Sequence, residues 1–276
     1  MMVKIMLDAA SDSRSTHPYD YYIPLTVDID GRCYKDGVDL KPQRFYKLLA
    51  TCKEFPKTSQ PSPEDYIPYF EEAKANGDEV LYLCVSSGLS GTYQSANIAK
   101  QMVEYDHIYI VDTRTVTHLI GMLARYAHQL RCEGMGAAQI AEKLLEVRDR
   151  QVVYAGLHTL EYLHKGGRLS RTSAAVGSIA NIKPILTINS EGKVEPCGKA
   201  IGVKRAINTI VKSVQSFEID ESFPIWSLCT VENENCEALE AAMQDAGITI
   251  SDRMQVGPTI GSHVGPGVYG LMFIRK

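Results

Sequence analysis

The segments Thr58-Ser59-Gln60-Pro61-Ser62, Ser86-Ser87-Gly88-Leu89-Ser90-Gly91-Thr92 and Gly257 to Gly267 are built from hydroxyls, glycines and the imidazole of His263 rather than from formal charge. Glycine lets backbone N–H groups come close to a ligand, and each Ser or Thr adds a rotatable O–H donor. If the three segments converge, they form a neutral pocket for an oxyanion, either a carboxylate or a phosphate. The chemistry this suggests is binding before catalysis.

Each segment also has a purely structural reading. Ser86 to Thr92 falls where an apolar strand gives way to a helix, so Ser90 or Thr92 could cap the first turn or donate to an anion held there. One hydroxyl is enough for a cap worth about 1 kcal/mol; the repeated hydroxyls with Gly88 and Gly91 exceed that need. Ser62, Pro63 and Asp65 read as a helix start, which leaves Thr58 and Ser59 upstream in a loop that could face the Ser86–Thr92 turn. A lone histidine is more often structural, but Gly261, Gly265 and Gly267 give His263 a permissive backbone that could present its ring. Lys165-Gly166-Gly167-Arg168 is readable as a solvated turn or as a turn aiming Arg168 at an oxyanion. Two other functions fit the same residues. Ser90 with His263 could be the nucleophile and base of a serine hydrolase, although the glycine after Ser90 comes one position early for G-x-S-x-G. A Ser/Gly loop at a helix start would equally suit a phosphosugar.

The elements that must position these residues follow from periodicity. Val80–Val85 reads as a buried strand, Tyr93–Tyr105 as a helix, Ile108–Val111 as a strand and Val116–Cys132 as a helix, so a parallel sheet is expected. A further helix over Ala137–Val147 and a strand over Val152–Leu157 follow, with a domain boundary near residue 150. Beyond it come a short helix over Thr172–Ala180 and strands at Pro184–Ile188 and Val194–Cys197 joined by Asn189-Ser190-Glu191-Gly192, an antiparallel pair. Helices are expected at Lys204–Phe217 and Cys236–Ala246, and strands at Ile225–Thr230, Ile248–Val256 and Tyr269–Ile274. The expected architecture is therefore α/β in two domains: residues 1–150 with a parallel sheet, and residues 151–276 of α+β type with a mixed or antiparallel sheet.

Composition narrows the function classes. A chain of 276 residues with 45% apolar and 22% charged residues is an ordinary globular mix near the size at which one core divides into two. The net charge of -4 comes without a basic cluster, which argues against nucleic acid. The seven cysteines are scattered, with no C-x-x-C pair, as expected of reduced thiols rather than disulfides or zinc. The first apolar run is too short for a signal-peptide core and no later run reaches a membrane span, so a cytoplasmic protein without stable membrane insertion, metal or cofactor is expected.

In order along the chain, Thr58–Pro63, Ser86–Tyr93, Leu160–Leu163 with Gly166–Ser170, Asn181–Leu186 and Gly261–Gly267 resemble the motifs of the DegV family of fatty-acid-binding proteins. The resemblance implies a non-enzymatic carrier that buries one long-chain fatty acid, such as palmitate or oleate, and presents its carboxyl group to a separate fatty acid kinase. Carried over by motif, the ligand-binding residues are Thr58, Ser59, Ser90, Gly91, Thr92 and His263, with Arg168 and Asp36 in the network serving phosphoryl transfer. The acyl-chain tunnel is expected in the C-terminal domain, and Ala175, Val176, Ile179, Ile182 and Ile185 are its candidate lining, equally readable as an ordinary core. Two stretches depart from the family pattern. Leu7-Asp8-Ala9 stands where the family has Thr-Asp-Ser, and Ala200-Ile201-Gly202-Val203 stands where it is often arginine-rich, with no arginine until Arg205. The second departure bears on pairing with the kinase, not on fatty-acid binding.

Overall fold

The computed structural model describes residues 2–12, 18–169, 181–231 and 234–276. The expected helix over 172–180, and with it Ala175, Val176 and Ile179, lies outside the described residues. The chain opens with strands β1 (Val3–Asp8), β2 (Tyr21–Ile23), β3 (Thr26–Ile29) and β4 (Arg32–Lys35), helix α1 (Pro42–Leu49) and strand β5 (Lys57–Ser59). Helix α2 (Ile67–Asn76), β6 (Glu79–Cys84), α3 (Thr92–Val103), β7 (Ile108–Asp112), α4 (His118–Cys132) and α5 (Ala137–Arg148) follow. The remainder comprises β8 (Gln151–Gly156), α6 (Glu161–Lys165), β9 (Ile182–Ile188), β10 (Val194–Ile201), α7 (Val203–Gln215), β11 (Trp226–Cys229), α8 (Glu234–Asp245), β12 (Asp252–Gln255), α9 (Pro258–Val264) and β13 (Tyr269–Ile274).

The strands before residue 150 form two sheets. One is parallel, in the order β2-β1-β6-β7, and the other is a small antiparallel sheet, β4-β3-β5. In β6 every residue after Glu79 is buried, which is why Val80–Cys84 reads as a continuous apolar run: helices cover both faces of a parallel sheet. From β1 the chain moves outward to β2, whereas β6 leads the other way to β7. The strand order therefore reverses between β1 and β6, and the crevice at their carboxyl ends is the usual ligand position in such sheets.

The strands from Gln151 onward form a single mixed sheet, β10-β9-β8-β13-β11-β12, antiparallel except for β11 against β12. The expected β9–β10 pair is antiparallel, and Asn189 Oδ1 closes its turn by accepting from the amides of Glu191 and Lys193 at 3.0 and 3.1 Å. Helix α7 buries Ala206, Ile207, Ile210 and Val214, one stripe at helical spacing, against this sheet. Helix α4 joins the two halves. Leu119, Leu123 and Ala127 share a core with Trp226, Leu228 and Met272, and His118 Nε2 lies 2.9 Å from the carbonyl of Gln255. It starts at His118 rather than Val116 because Thr117 takes a φ of 55°, outside the helical region.

Gly270, in the middle of β13, shows how closely the mixed sheet is packed. A Cβ there would collide with the backbone carbonyl of Tyr154 on β8, which cannot move without parting the two strands. Gly270→Ala is expected to destabilise the protein by about 1–3 kcal/mol, read as a lowered urea midpoint at unchanged slope.

Candidate functional site

Thr58 lies on β5 rather than in a loop, paired with Val27 of β3. Strand alternation turns its hydroxyl toward α9 and leaves its neighbour Ser59 exposed, away from the site. The glycine-rich segment that carries His263 is likewise a helix, α9, and not a permissive loop. Gly257 precedes it, Pro258 occupies its first position, and Gly265, at a φ of 73°, ends it. Those are ordinary start and stop signals, and they make the ring's position rigid. Thr58 Oγ1 and His263 Nε2 are 2.8 Å apart.

Asp36 holds the other end of that helix. Its Oδ2 accepts from the Thr259 amide at 2.8 Å and the Thr259 hydroxyl at 2.6 Å. The carboxyl is almost fully buried, and burial raises it to about 7, against the lowering effect of its bonds to Thr259. Its direct contact is therefore with the helix that positions His263.

Of the Ser86–Thr92 hydroxyls, most are engaged in structure. Ser86 Oγ donates to the Gly192 carbonyl in the β9–β10 turn at 2.7 Å, and Ser87 Oγ to Asp112 at 2.5 Å. Thr92 is fully buried and supports Ser90, their hydroxyl oxygens 2.7 Å apart. A side chain at Gly91 would have to displace the amide of Gln60, which packs against it with Nε2 donating to Ser95 Oγ at 2.9 Å. Ser90 remains the hydroxyl of this loop that lines a cavity with Thr58 and His263. Arg168 completes the group. Its Nε donates to the Leu89 carbonyl at 3.1 Å and its Nη1 to the Gly166 carbonyl at 2.6 Å, so the solvated-turn reading fails.

These side chains line a cavity of about 70 Å³ between the carboxyl end of the parallel sheet, α9 and the mixed sheet. Leu25, Val85, Val116, Leu163, Ile260 and Val264 supply apolar wall. A wider cleft of about 810 Å³ shares Leu89, Ser90, Arg168 and Val194 and continues past Leu169 and Pro196. Ile182 and Ile185, two of the expected tunnel residues, line neither space. Ile185 packs instead in the core beneath α7.

The electrostatics favour a neutral imidazole. Burial, assisted by the Arg168 charge, lowers His263 to about 4. Nδ1 is buried without a partner among the described residues. A proton on Nε2 would be donated to Thr58 Oγ1 and leave Nδ1 as an acceptor, a smaller penalty than a buried orphan N–H. Thr58 then keeps its own hydroxyl hydrogen for a ligand.

The motif comparison names Asp8, within Leu7-Asp8-Ala9, but gives it no role. At the end of β1, fully buried, it accepts from the Val85 amide, the Ala10 amide and the Tyr82 hydroxyl, each at 2.9 Å. Burial raises it to about 6 while these bonds pull it down. It ties β1 to β6 at the point where the strand order reverses. The signal in sequence is an isolated carboxylate closing an apolar strand. Among the described residues no group of three or more His, Cys, Asp or Glu side chains gathers to hold a metal.

An α/β protein of three sheets with a polar-ended, apolar-walled cavity at a strand-order reversal has the architecture in which small molecules are commonly bound. Residues 2–276 match the family model described as an uncharacterised protein of the DegV family, and the chain belongs to that family. A DegV domain-containing protein of Caldanaerobacter subterraneus subsp. tengcongensis is 38% identical over 275 residues, covering 96% of this chain and 98% of that protein. A DegV family protein of Thermus thermophilus whose structure concerns fatty acid binding superposes with a TM-score of 0.88 at 31% identity, covering 100% of both chains. The fatty acid binding DegV family protein of Streptococcus agalactiae gives 0.88 at 28% identity, covering 100% of this chain and 99% of that one.

Since the folded state lowers the His263 pKa, His263 contributes stability above pH 6.5 that is lost as pH falls toward about 4. His263→Gln should therefore lose less stability than the wild type between pH 6.5 and 4 in thermal melts. The wild-type ring resonances should stay those of neutral imidazole down to about pH 5.

Proposed function

We propose that this protein binds one long-chain fatty acid, its carboxylate at Thr58, Ser90 and His263 and its tail along the apolar wall. The observation that carries the reading is the Thr58–His263 pair, 2.8 Å apart, set with Ser90 in a cavity otherwise walled by aliphatic side chains. Fatty acid binding by DegV structures of Thermus thermophilus and Streptococcus agalactiae supports it. The physical division of labour is simple. Each buried methylene stabilises by about 0.8 kcal/mol, so a tail of roughly fifteen carbons offers on the order of 10 kcal/mol before entropic costs. The head must only leave no carboxylate oxygen unpaired. Thr58 and Ser90 hydroxyls supply donors, and Arg168 places a positive charge beside them.

In this reading the head lies between the proposed domains 1–150 and 151–276, and the protein is a cytoplasmic carrier that presents the carboxyl group to a separate kinase. Arg168 would face the transferred phosphoryl group, while Asp36 and Thr92 would act indirectly, through α9 and through Ser90. Gly91 would admit the close packing of Gln60 and leave Ser90 in place. The serine hydrolase reading is less well supported: Ser90 Oγ lies on Thr92 at 2.7 Å and His263 on Thr58 at 2.8 Å, so the nucleophile–base pair is not assembled. A phosphosugar would make no use of the aliphatic wall.

Native mass spectrometry of the purified protein, followed by lipid extraction, should show one bound fatty acid. Protein that is empty and takes up neither palmitate nor oleate overturns the proposal. Thr58→Ala with Ser90→Ala should weaken oleate binding about tenfold or more, the loss expected for hydrogen bonds to a charged group. Unchanged affinity removes these residues from the site.

A further inference from the structure

A second cavity, of about 210 Å³, lies where the loop after β7, the α5–β8 junction and the residue after β13 meet the β9–β10 turn. It shares no lining residue with the Thr58–His263 cavity. Arg114, Arg148 and Arg275 all line it, with Asp149 as the one acidic residue of the wall. The guanidinium of Arg148 donates from Nε to Asp149 Oδ1 at 3.0 Å, Arg114 reaches the same oxygen at 3.7 Å, and Arg275 Nη2 donates to the Asp149 backbone carbonyl at 3.3 Å. One carboxylate, itself largely exposed, cannot neutralise three guanidinium groups; the wall is left with an excess of two positive charges. Each guanidinium carries five N–H donors in a planar fork suited to phosphate oxygens.

Two further wall residues point to a ligand. Thr115 is 2% exposed and its Oγ1 has no partner among the described residues. Gln151 Oε1 is also buried without a partner among the described residues, and its orientation is fixed because Nε2 donates to the carbonyls of Thr113 and Arg148 at 3.1 and 3.0 Å. Orphaned buried polar atoms are costly, so they mark places where a ligand or water completes the bonding. Thr115 offers a donor, as the arginines do. Gln151 offers an acceptor, which the phosphoryl group of a monoester dianion, having no O–H, cannot satisfy and a ligand hydroxyl can. The loop that carries Thr115 is strained: Arg114 and Thr117 on either side of it both have left-handed φ, 51° and 55°. For a branched residue such as Thr117 this conformation persists only where the surroundings enforce it.

From these observations we infer a second binding site, for a small phosphate monoester that also carries a hydroxyl. The phosphoryl group sits on the three arginines and Thr115, and the hydroxyl donates to Gln151. The site adjoins the lipid cavity through the β9–β10 turn, since Arg114 Nη1 also donates to the Ser190 carbonyl at 3.3 Å and the same turn receives the Ser86 hydroxyl.

The test is isothermal titration of the full chain with β-glycerophosphate, phenyl phosphate and inorganic phosphate. β-Glycerophosphate should bind once per chain and more tightly than either comparator. Arg148→Gln should weaken it about tenfold or more, the loss of a charge-assisted pair of hydrogen bonds. Thr115→Val should weaken it too while leaving the melting temperature unchanged or raised, because it removes a buried hydroxyl that has no partner among the described residues. No binding, binding of phenyl phosphate or of inorganic phosphate as tight as that of β-glycerophosphate, or affinity unchanged in Thr115→Val overturns the proposal.

Discussion

The hydrogen bond between Thr58 and His263 joins residues 205 positions apart, and the candidate site depends on its part-buried setting. An exposed histidine would titrate near neutrality and exchange partners with solvent. Here burial and the Arg168 charge keep the ring neutral, so its pairing with Thr58 is fixed and the hydroxyl hydrogen is left to point elsewhere. A pocket made in this way can hold an anionic head with dipoles alone at its centre. The positive charge sits at one side, on Arg168, already braced against two backbone carbonyls.

The rest of the fold serves that contact. Asp36 anchors the start of α9, Tyr46 donates to the Val256 carbonyl at 3.1 Å just before that helix begins, and α9 packs on the small antiparallel sheet that carries Thr58. Asp8 secures the other wall by joining β1 to β6. Ser86 and Arg168 clasp the β6–α3 loop from two sides, one reaching the β9–β10 turn and the other extending from the turn after α6. Both buried carboxylates, Asp8 and Asp36, are pushed upward in pKa and so favour the folded state less as pH rises through about 6 and 7. Their use as fixed acceptors therefore carries a stability cost at neutral pH. The β9–β10 turn lines the arginine-bearing cavity and also accepts the Ser86 hydroxyl of the β6–α3 loop, so one turn contacts the walls of both cavities.

Long, strongly periodic segments were legible from sequence because their burial is dictated locally: β6, α3, β7, α4, α7 and the β9–β10 hairpin fall within a few residues of their expected spans. The small sheet was not read, because β3, β4 and β5 are only three or four residues long, although Thr26–Ile29 alternates in burial and Asp30-Gly31 is a hairpin turn signal. For the same reason Thr58 read as a loop residue. Helix α9 was obscured by its glycines, although Pro258 and Gly265 stand at the places where a helix begins and ends. The hydroxyl-rich loop was recognised, but which of its hydroxyls faces the cavity depends on partners far away in sequence. Gly192 and Asp112 take Ser86 and Ser87, and Thr92 turns inward to Ser90.

By itself, then, the sequence determined the α/β class, the parallel and mixed sheets and the family, because apolar periodicity and ordered motifs are properties of contiguous residues. Only the tertiary structure decided that Thr58, Ser90, Arg168 and His263 share one cavity while Ser59 faces solvent and Asp36 holds a helix end. It alone gathered Arg114, Arg148 and Arg275 around a second cavity. The reason is physical: burial, charge and hydrogen-bond satisfaction belong to neighbours in space, and in this chain those neighbours lie as much as 223 residues apart.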